Sequence, residues 1–231
     1  MATLSRILGK CAGRRQNSSL AVRPSLASAR ALLSEAATHG SVSLRFHDDA
    51  VAIVELCNPR AANAVSCSMM LQFQDIVDQL EDWHSGKAVI LRGAGSTFCA
   101  GADLNSHPAL LTKPFGSAMG LVMKDATRKL RALPLISVAA ISGAAIGGGA
   151  ELAAVCDYRV WTENAMMQWV HISRGVVPVS GDCQCVQMYS WLAYYTHVRL
   201  LTLAGVGRPA IFTWHRRKVA RSLHRRYGQA P

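Results

Sequence analysis

The residues best suited to chemistry lie in SGAAIGGGAELAAVCD, residues 142–157: small residues, an isoleucine, three glycines in a row and then Glu151. Gly147, Gly148 and Gly149 close a strand-like run and open a helix-forming one. Their N–H groups are therefore among the orphan donors of a helix start, where the macrodipole is positive. Such a place stabilises an anion. A bound phosphate fits poorly, because the P-loop spacing is absent, GxGxxG does not match GAAIGGGAE, and Glu151 one turn in would repel it. An oxyanion formed during a reaction fits better, since fixed backbone donors need no reorganisation as the charge develops.

A second stretch, STFCAGADLNSH at residues 96–107, repeats the design. It has a strand end, a glycine, and Asp103 as the predicted N-cap of a helix starting at Leu104. The two stretches could supply one N–H donor each.

The elements that must position these turns follow from periodicity. SVSLRFHDDAVAIVELCNP reads as two short strands joined by a His-Asp-Asp turn and closed by Asn58-Pro59. SCSMMLQFQDIVDQLEDWH places Met70, Phe73, Ile76, Val77 and Leu80 on one helical face, with Ser66 as N-cap. KAVILRG is a buried strand, GSAMGLVMKDATRKLRALP a second amphipathic helix ended by Pro134, and LISVAAIS a further strand leading into the glycines. ELAAVCDY continues as helix and YRVWT as strand. Strands alternate with helices, so the class is α/β with a mainly parallel sheet.

Composition narrows the function. Half of the 231 residues are hydrophobic, enough for a proper core. Seven cysteines form no CxxC pair, which argues against a disulfide framework or a structural zinc site, and no metal is expected. The apolar runs stop short of a membrane span. The net charge of +11 is unevenly placed: residues 1–34 hold six basic residues and no acid, and residues 179–231 hold eight against the single Asp182. Residues 35–178 carry 11 basic and 13 acidic residues, so a nucleic-acid partner is disfavoured for the core. The Arg- and Ser-rich, acid-free start has the make-up of a mitochondrial transit peptide; a solvated tail is the alternative.

NPRAANAVSCSMM, FCAGADLN and ISGAAIGGGAELAAVCDYRV, in this order and spacing, resemble the crotonase (enoyl-CoA hydratase/isomerase) superfamily over residues 41–178. The resemblance implies a spiral of β-β-α turns, a trimer or dimer of trimers, and acyl-CoA thioester substrates. No cofactor is expected, coenzyme A being part of the substrate. It implies that Ala102 N–H and Gly148 N–H hold the thioester oxygen as it becomes an enolate. It also implies that Arg60, Ala62, Ala100, Gly101, Asp103 and Leu104 lie along the coenzyme A path. Hydratases of this superfamily pair two glutamates across the substrate. Here the first is Glu151, and the position of the second holds His171, in MQWVHISRGVVP. An imidazole does not replace a carboxylate in two-carboxylate water activation, so ordinary hydration is disfavoured. The WVH context, NAVSCSMM and ADLN resemble instead the ethylmalonyl-CoA decarboxylase branch. There, loss of carbon dioxide leaves an enolate for the oxyanion hole, and His171 would orient the departing carboxylate or reprotonate the α-carbon.

Each assignment has a plainer counterpart. Glu151 could serve only as a favourable acid in a helix's first turn, and His171 as a satisfied strand-end histidine. Asp103 is read as a structural cap, and Cys99 and Cys156 as small core residues. After Pro178 the pattern breaks, so the helical part that covers the acyl pocket in the superfamily is expected to be missing or altered. The predicted organisation is a disordered or transit-like segment at 1–40, an acyl-CoA-binding core at 41–178 and a divergent basic tail at 179–231, expected to leave the pocket open and activity reduced. TWHRRKVARSLHRRYG, with Trp214 and Tyr227, could bind RNA or an anionic membrane, but a solvated tail is favoured. The predicted activity is decarboxylation of short branched malonyl-type CoA thioesters. The alternatives are an enoyl-CoA hydratase or isomerase, and a non-catalytic scaffold. The resemblance places the protein in the cytosol; the N-terminal composition, in the mitochondrial matrix.

Overall fold

Alternating burial decides the architecture. In the computed structural model, which describes residues 24–36, 39–47, 49–105, 112–171, 173 and 178, strands β1 (Ser41–His47) and β2 (Val51–Cys57) pair antiparallel, from Ser41 opposite Cys57 to His47 opposite Val51. Ala52, Val54 and Leu56 of β2 all point to one face. The chain then crosses over through helix α2 (Cys67–Glu81) to β3 (Ala88–Gly93) and through helix α3 (Lys113–Ala132) to β4 (Ile136–Ile141), each strand parallel to the one before. Register carries the buried rows across the sheet: Ala52 beside Val89 beside Ser137, and Val54 beside Leu91 beside Ala139. A five-stranded sheet of order β1-β2-β3-β4-β6 results, with β6 spanning Tyr158–Trp161.

The helices form where the pattern requires. The Ser66 side chain accepts from Met69 N–H and so caps α2, whose Met70, Phe73, Ile76, Val77 and Leu80 are buried as predicted. Phe73 is 1% exposed, and its truncation to alanine is expected to cost about 3–5 kcal/mol. Helix α3 begins three residues before the predicted Gly116, with Pro114 in its first turn, and stops before Leu133-Pro134.

The fold has a second layer that the sequence pattern does not reveal. Strands β5 (Ala144–Ile146) and β7 (Met166–Gln168) pair parallel, and isolated bridges Cys99–Ala145 and Val65–Ala102 extend the same layer. Each turn of the chain thus gives one strand to the large sheet and one short extended piece to this layer. The β-β-α spiral implied by the resemblance is present, with helix α4 (Gly148–Val155) closing the third turn.

The predicted boundary at residue 41 needs correction. Residues Leu26–Ser34 form helix α1, whose Ser25 cap accepts from Ser28 N–H at 3.1 Å. Ala29 and Leu33, four apart on one face, are buried in the common core. Arg30, counted in the basic excess of the N-terminus, binds Gln74 and lies 2.8 Å from Asp75, while Gln74 donates to Asp125 at 2.7 Å. Composition alone hides this short apolar face. Residues 1–23 and the predicted tail at 179–231, with the pocket-covering part expected to be altered, lie outside the described residues. Among those residues, no helix is long and apolar enough to cross a membrane.

Candidate active site

The two glycine turns are bonded side by side. Cys99 N–H donates to Ala144 O at 3.0 Å, and Ile146 N–H donates to Cys99 O at 2.9 Å. Contact this close excludes side chains: a β-carbon on Gly149 would stand 2.2 Å from Cys99 O, and one on Gly101 would stand 2.9 Å from Ile146 O and 3.4 Å from Gly148 N. Gly101 also has φ +100°, which other residues rarely adopt.

This packing brings together the two amides named by the resemblance. Asp103 N–H donates to Val65 O, and Val65 N–H donates to Gly101 O. In such a parallel bridge Ala102 itself faces the other way, so its N–H points to the side of the glycines. Gly148 is the first residue of α4, whose opening N–H groups have no partner within the helix. A β-carbon on Gly148 would lie 3.7 Å from Ala102 N, so both donors border one gap. Among the described residues, neither N–H donates to another backbone group.

Glu151 and His171 meet at the same helix mouth. Gly147, with φ +54°, turns the chain so that its N–H donates to Gln168 O at 2.8 Å, tying the start of α4 to the end of β7. Three residues past Gln168, His171 Nε2 stands 2.6 Å from Glu151 Oε1. Both side chains are buried, at 7% and 6% exposure, and the Trp169 ring lies tilted beside His171 with centroids 6.0 Å apart. At this distance the carboxylate and the imidazole are within hydrogen-bond reach of one another. The carboxylate in the first turn of α4 is also on the favourable end of the helix dipole.

The residues assigned to coenzyme A form one continuous edge. Ala100 N–H donates to Ala62 O at 3.0 Å, joining the Arg60–Asn63 turn to the AGAD turn. Arg60, Ala62, Ala102 and Leu104 are exposed along this edge and Ala100 is half-buried within it, whereas Gly101 and Asp103 are buried beneath. Ala62 and Asn63 are left-handed, at φ 49° and 57°. Asn63 makes that conformation tolerable by accepting from Asn58 N–H at 2.9 Å and donating to Ala94 O and Thr97 O at 2.8 and 2.7 Å.

The helix that Asp103 is predicted to cap would run on into residues 106–111, outside the described residues. Asp103 Oδ1 accepts from Asn105 N–H, two residues on, and Leu104 and Asn105 form a turn. A bond from Asp to the backbone N–H two residues ahead is common to an Asx turn and to a helix N-cap. The other oxygen of Asp103 faces Asn58 Nδ2 at 3.4 Å. Cys99 and Cys156 behave as core residues: burial pushes each thiol up to about 12, and Cys99 Sγ accepts from Gly101 N–H at 3.4 Å.

Three supports of the site escape sequence reasoning. Asn58 reads simply as a turn residue and Asn63 only as the end of the Arg60–Asn63 stretch that the resemblance sets beside coenzyme A, although two asparagines five apart around a proline offer the side-chain bonds that a left-handed turn needs. Gln168 acts through its backbone oxygen, which no residue type reveals. Trp169 reads only as context for His171, and the structure sets its ring against that imidazole.

Comparison with known proteins points to one family. The enoyl-CoA hydratase/isomerase family profile matches residues 47–188. Ethylmalonyl-CoA decarboxylase of Mus musculus is 44% identical over 142 residues, covering 62% of this chain and 44% of that protein. The Xenopus laevis protein of the same name is 42% identical over 141 residues, covering 61% and 47%. The chain thus spans about half the length of the curated relatives it matches. Among solved structures, the enoyl-CoA hydratase from Bacillus anthracis superposes with a TM-score of 0.60 at 30% identity, over 64% of this chain and 57% of that one. Three ordered motifs, the spiral that joins them and a profile match over most of the described core lead to one conclusion: the chain belongs to the enoyl-CoA hydratase/isomerase family.

Proposed function

We propose that the protein decarboxylates short branched malonyl-type CoA thioesters, ethylmalonyl-CoA and methylmalonyl-CoA. The observation that carries this reading is the 2.6 Å contact between Glu151 and His171 at the mouth of α4. Hydration needs two carboxylates to activate and orient water, and here an imidazole stands against the first. Decarboxylation needs no base. The bond between the α-carbon and the carboxylate breaks, its electron pair moves onto the thioester oxygen, and carbon dioxide leaves. Ala102 N–H and Gly148 N–H stabilise the resulting enolate, each such donor being worth about 10²–10³ in turnover. The electron pair then returns to the α-carbon, which takes a proton from the His171–Glu151 pair, and solvent replaces that proton.

The coenzyme A portion would follow the edge from Arg60 and Ala62 to Ala100 and Leu104. No separate cofactor enters this scheme. A trimeric or hexameric working form, in the cytosol, belongs to the same proposal. The relatives named ethylmalonyl-CoA decarboxylase support the choice of substrate, and histidine rather than glutamate at position 171 supports decarboxylation over hydration. The test is to give the full chain ethylmalonyl-CoA, methylmalonyl-CoA and crotonyl-CoA in parallel and to separate the products by mass. Butyryl-CoA and propionyl-CoA are expected, with little hydration of crotonyl-CoA. Faster hydration than decarboxylation would assign the chain to the hydratases instead.

A further inference from the structure

Helix α4 carries reactive groups at its start, and its far end is held by a residue with no part in the proposed chemistry. The last carbonyls of a helix lack partners within it, and α4 has no basic residue in its last turn. The chain leaves α4 through Cys156 and Asp157 into β6, and the second residue of that strand, Arg159, turns its guanidinium back against the helix end. Its Nη1 donates to Cys156 O at 2.7 Å, Ala153 O at 3.1 Å and Ala154 O at 3.5 Å, and its Nη2 to Asp157 O at 3.4 Å. Burial lowers the guanidinium from its ordinary value, offset by Cys156 and Asp157, yet an arginine stays charged at neutral pH. The turn is also fixed to the sheet, since the Asp157 carboxylate accepts from Ser137 N–H and Oγ–H at 3.0 and 2.8 Å, and Asp157 N–H donates to Ser137 Oγ at 2.9 Å.

We infer that Arg159 is a positioning residue for the reaction centre, fixing α4 along its axis so that Gly148 N–H faces Ala102 N–H and Glu151 meets His171. The helix has only eight residues and is therefore about 12 Å long. So short and apolar a rod moves as one piece, and a shift at its end reaches Gly148 undiminished. A hydrogen bond tolerates only a few tenths of an ångström, so loss of the grip weakens the donor before it unfolds the core. The inference relies on the proposed function for its catalytic readout and not for its structural one.

Arg159→Ala and Arg159→Lys test it through two independent signals. The first is amide hydrogen exchange in peptides covering 148–156, expected to quicken about tenfold or more in Arg159→Ala while peptides from β2 and β3 keep their rates. The second is the near-ultraviolet absorbance of bound acetoacetyl-CoA, a β-ketothioester whose enolate absorbs where its keto form does not. Arg159→Ala should lower the bound enolate fraction about fivefold or more at an affinity within about twofold of wild type. Millimolar guanidinium should restore it and ammonium should not, and Arg159→Lys should lie between. Unchanged exchange in 148–156 overturns the inference, as does a general rise across all strands that guanidinium fails to reverse. If the wild-type chain binds no acetoacetyl-CoA, the proposed function falls, and the exchange measurement still decides the role of Arg159.

Discussion

Gly148→Ala separates the chemistry of the site from its packing. The position tolerates a side chain as backbone, since Gly148 is not one of the left-handed glycines, and the new methyl meets nothing nearer than Ala102 N and Gly101 Cα, each at 3.7 Å. In a helix an alanine is better than a glycine by up to about 1 kcal/mol, which in a chain of this size moves Tm by about 2–4 °C at most. The variant should therefore fold as well as the wild type or slightly better. The methyl nevertheless stands over the Gly101–Ala102 peptide, in the gap that an oxygen must enter to reach both donors. Loss of one donor costs about 2.7–4 kcal/mol in the transition state, or about 10²–10³ in turnover. Gly149→Ala is the control of opposite sign. Its methyl would overlap Cys99 O at 2.2 Å, which is backbone and gives little, so overpacking of about 1–3 kcal/mol or more should lower stability first. The assay pairs decarboxylation of ethylmalonyl-CoA with thermal unfolding for all three proteins. A Gly148→Ala variant that keeps its Tm and its turnover would refute the placement of the oxyanion gap.

His171→Gln keeps a donor for Glu151 but has no proton to give, so turnover should fall about 10²–10⁴-fold with little change in KM; His171→Glu should raise hydration of crotonyl-CoA above the wild-type level, and steady-state kinetics on both thioesters checks the pair. Leu33→Ala in α1 should cost about 2–5 kcal/mol in urea unfolding, because Leu33 is 0% exposed; an unchanged midpoint would put α1 back outside the fold. With their thiols pushed up to about 12, Cys99 and Cys156 hold about 10⁻⁴ thiolate at pH 8, so iodoacetamide followed by peptide mapping should modify the half-buried Cys57 before either of them. The same shift has a stability consequence with a definite sign. The folded values lie above the ordinary 9.0, so the folded state is favoured below pH 9 and loses that advantage as pH rises from 9 towards 12, which alkaline unfolding followed by circular dichroism should register.

Local pattern is what the sequence makes legible. The helical spacing of Met70, Phe73, Ile76, Val77 and Leu80, the Ser66 cap and the β1–β2 pair all rest on neighbours a few residues apart, and they stand where predicted. The three glycines before Glu151 announce a helix mouth for the same reason. Features that depend on distant contacts stay hidden. β5 and β7 are three residues each, too short for periodicity, and exist because they pair with one another. The meeting of His171 with Glu151 arises from the Gly147 to Gln168 bond, a backbone contact that the sequence carries only through a resemblance to known motifs. Asp103 reads two ways because a cap and an Asx turn use the same side chain and the same bond to the N–H two residues on. α1 is masked by composition: its arginine weighs as charge, whereas the fold uses it as a strap to Gln74 and Asp75.

The proposed mechanism requires an enolate at the Gly148–Ala102 gap and its reprotonation by the Glu151–His171 pair. Both requirements meet in a single turnover of ethylmalonyl-CoA in deuterium oxide, followed by mass spectrometry. Butyryl-CoA carrying one deuteron at the α-carbon is expected from the wild-type chain, and far more slowly from His171→Gln. Unchanged ethylmalonyl-CoA from the wild-type chain, or equal rates from the two proteins, would contradict the mechanism.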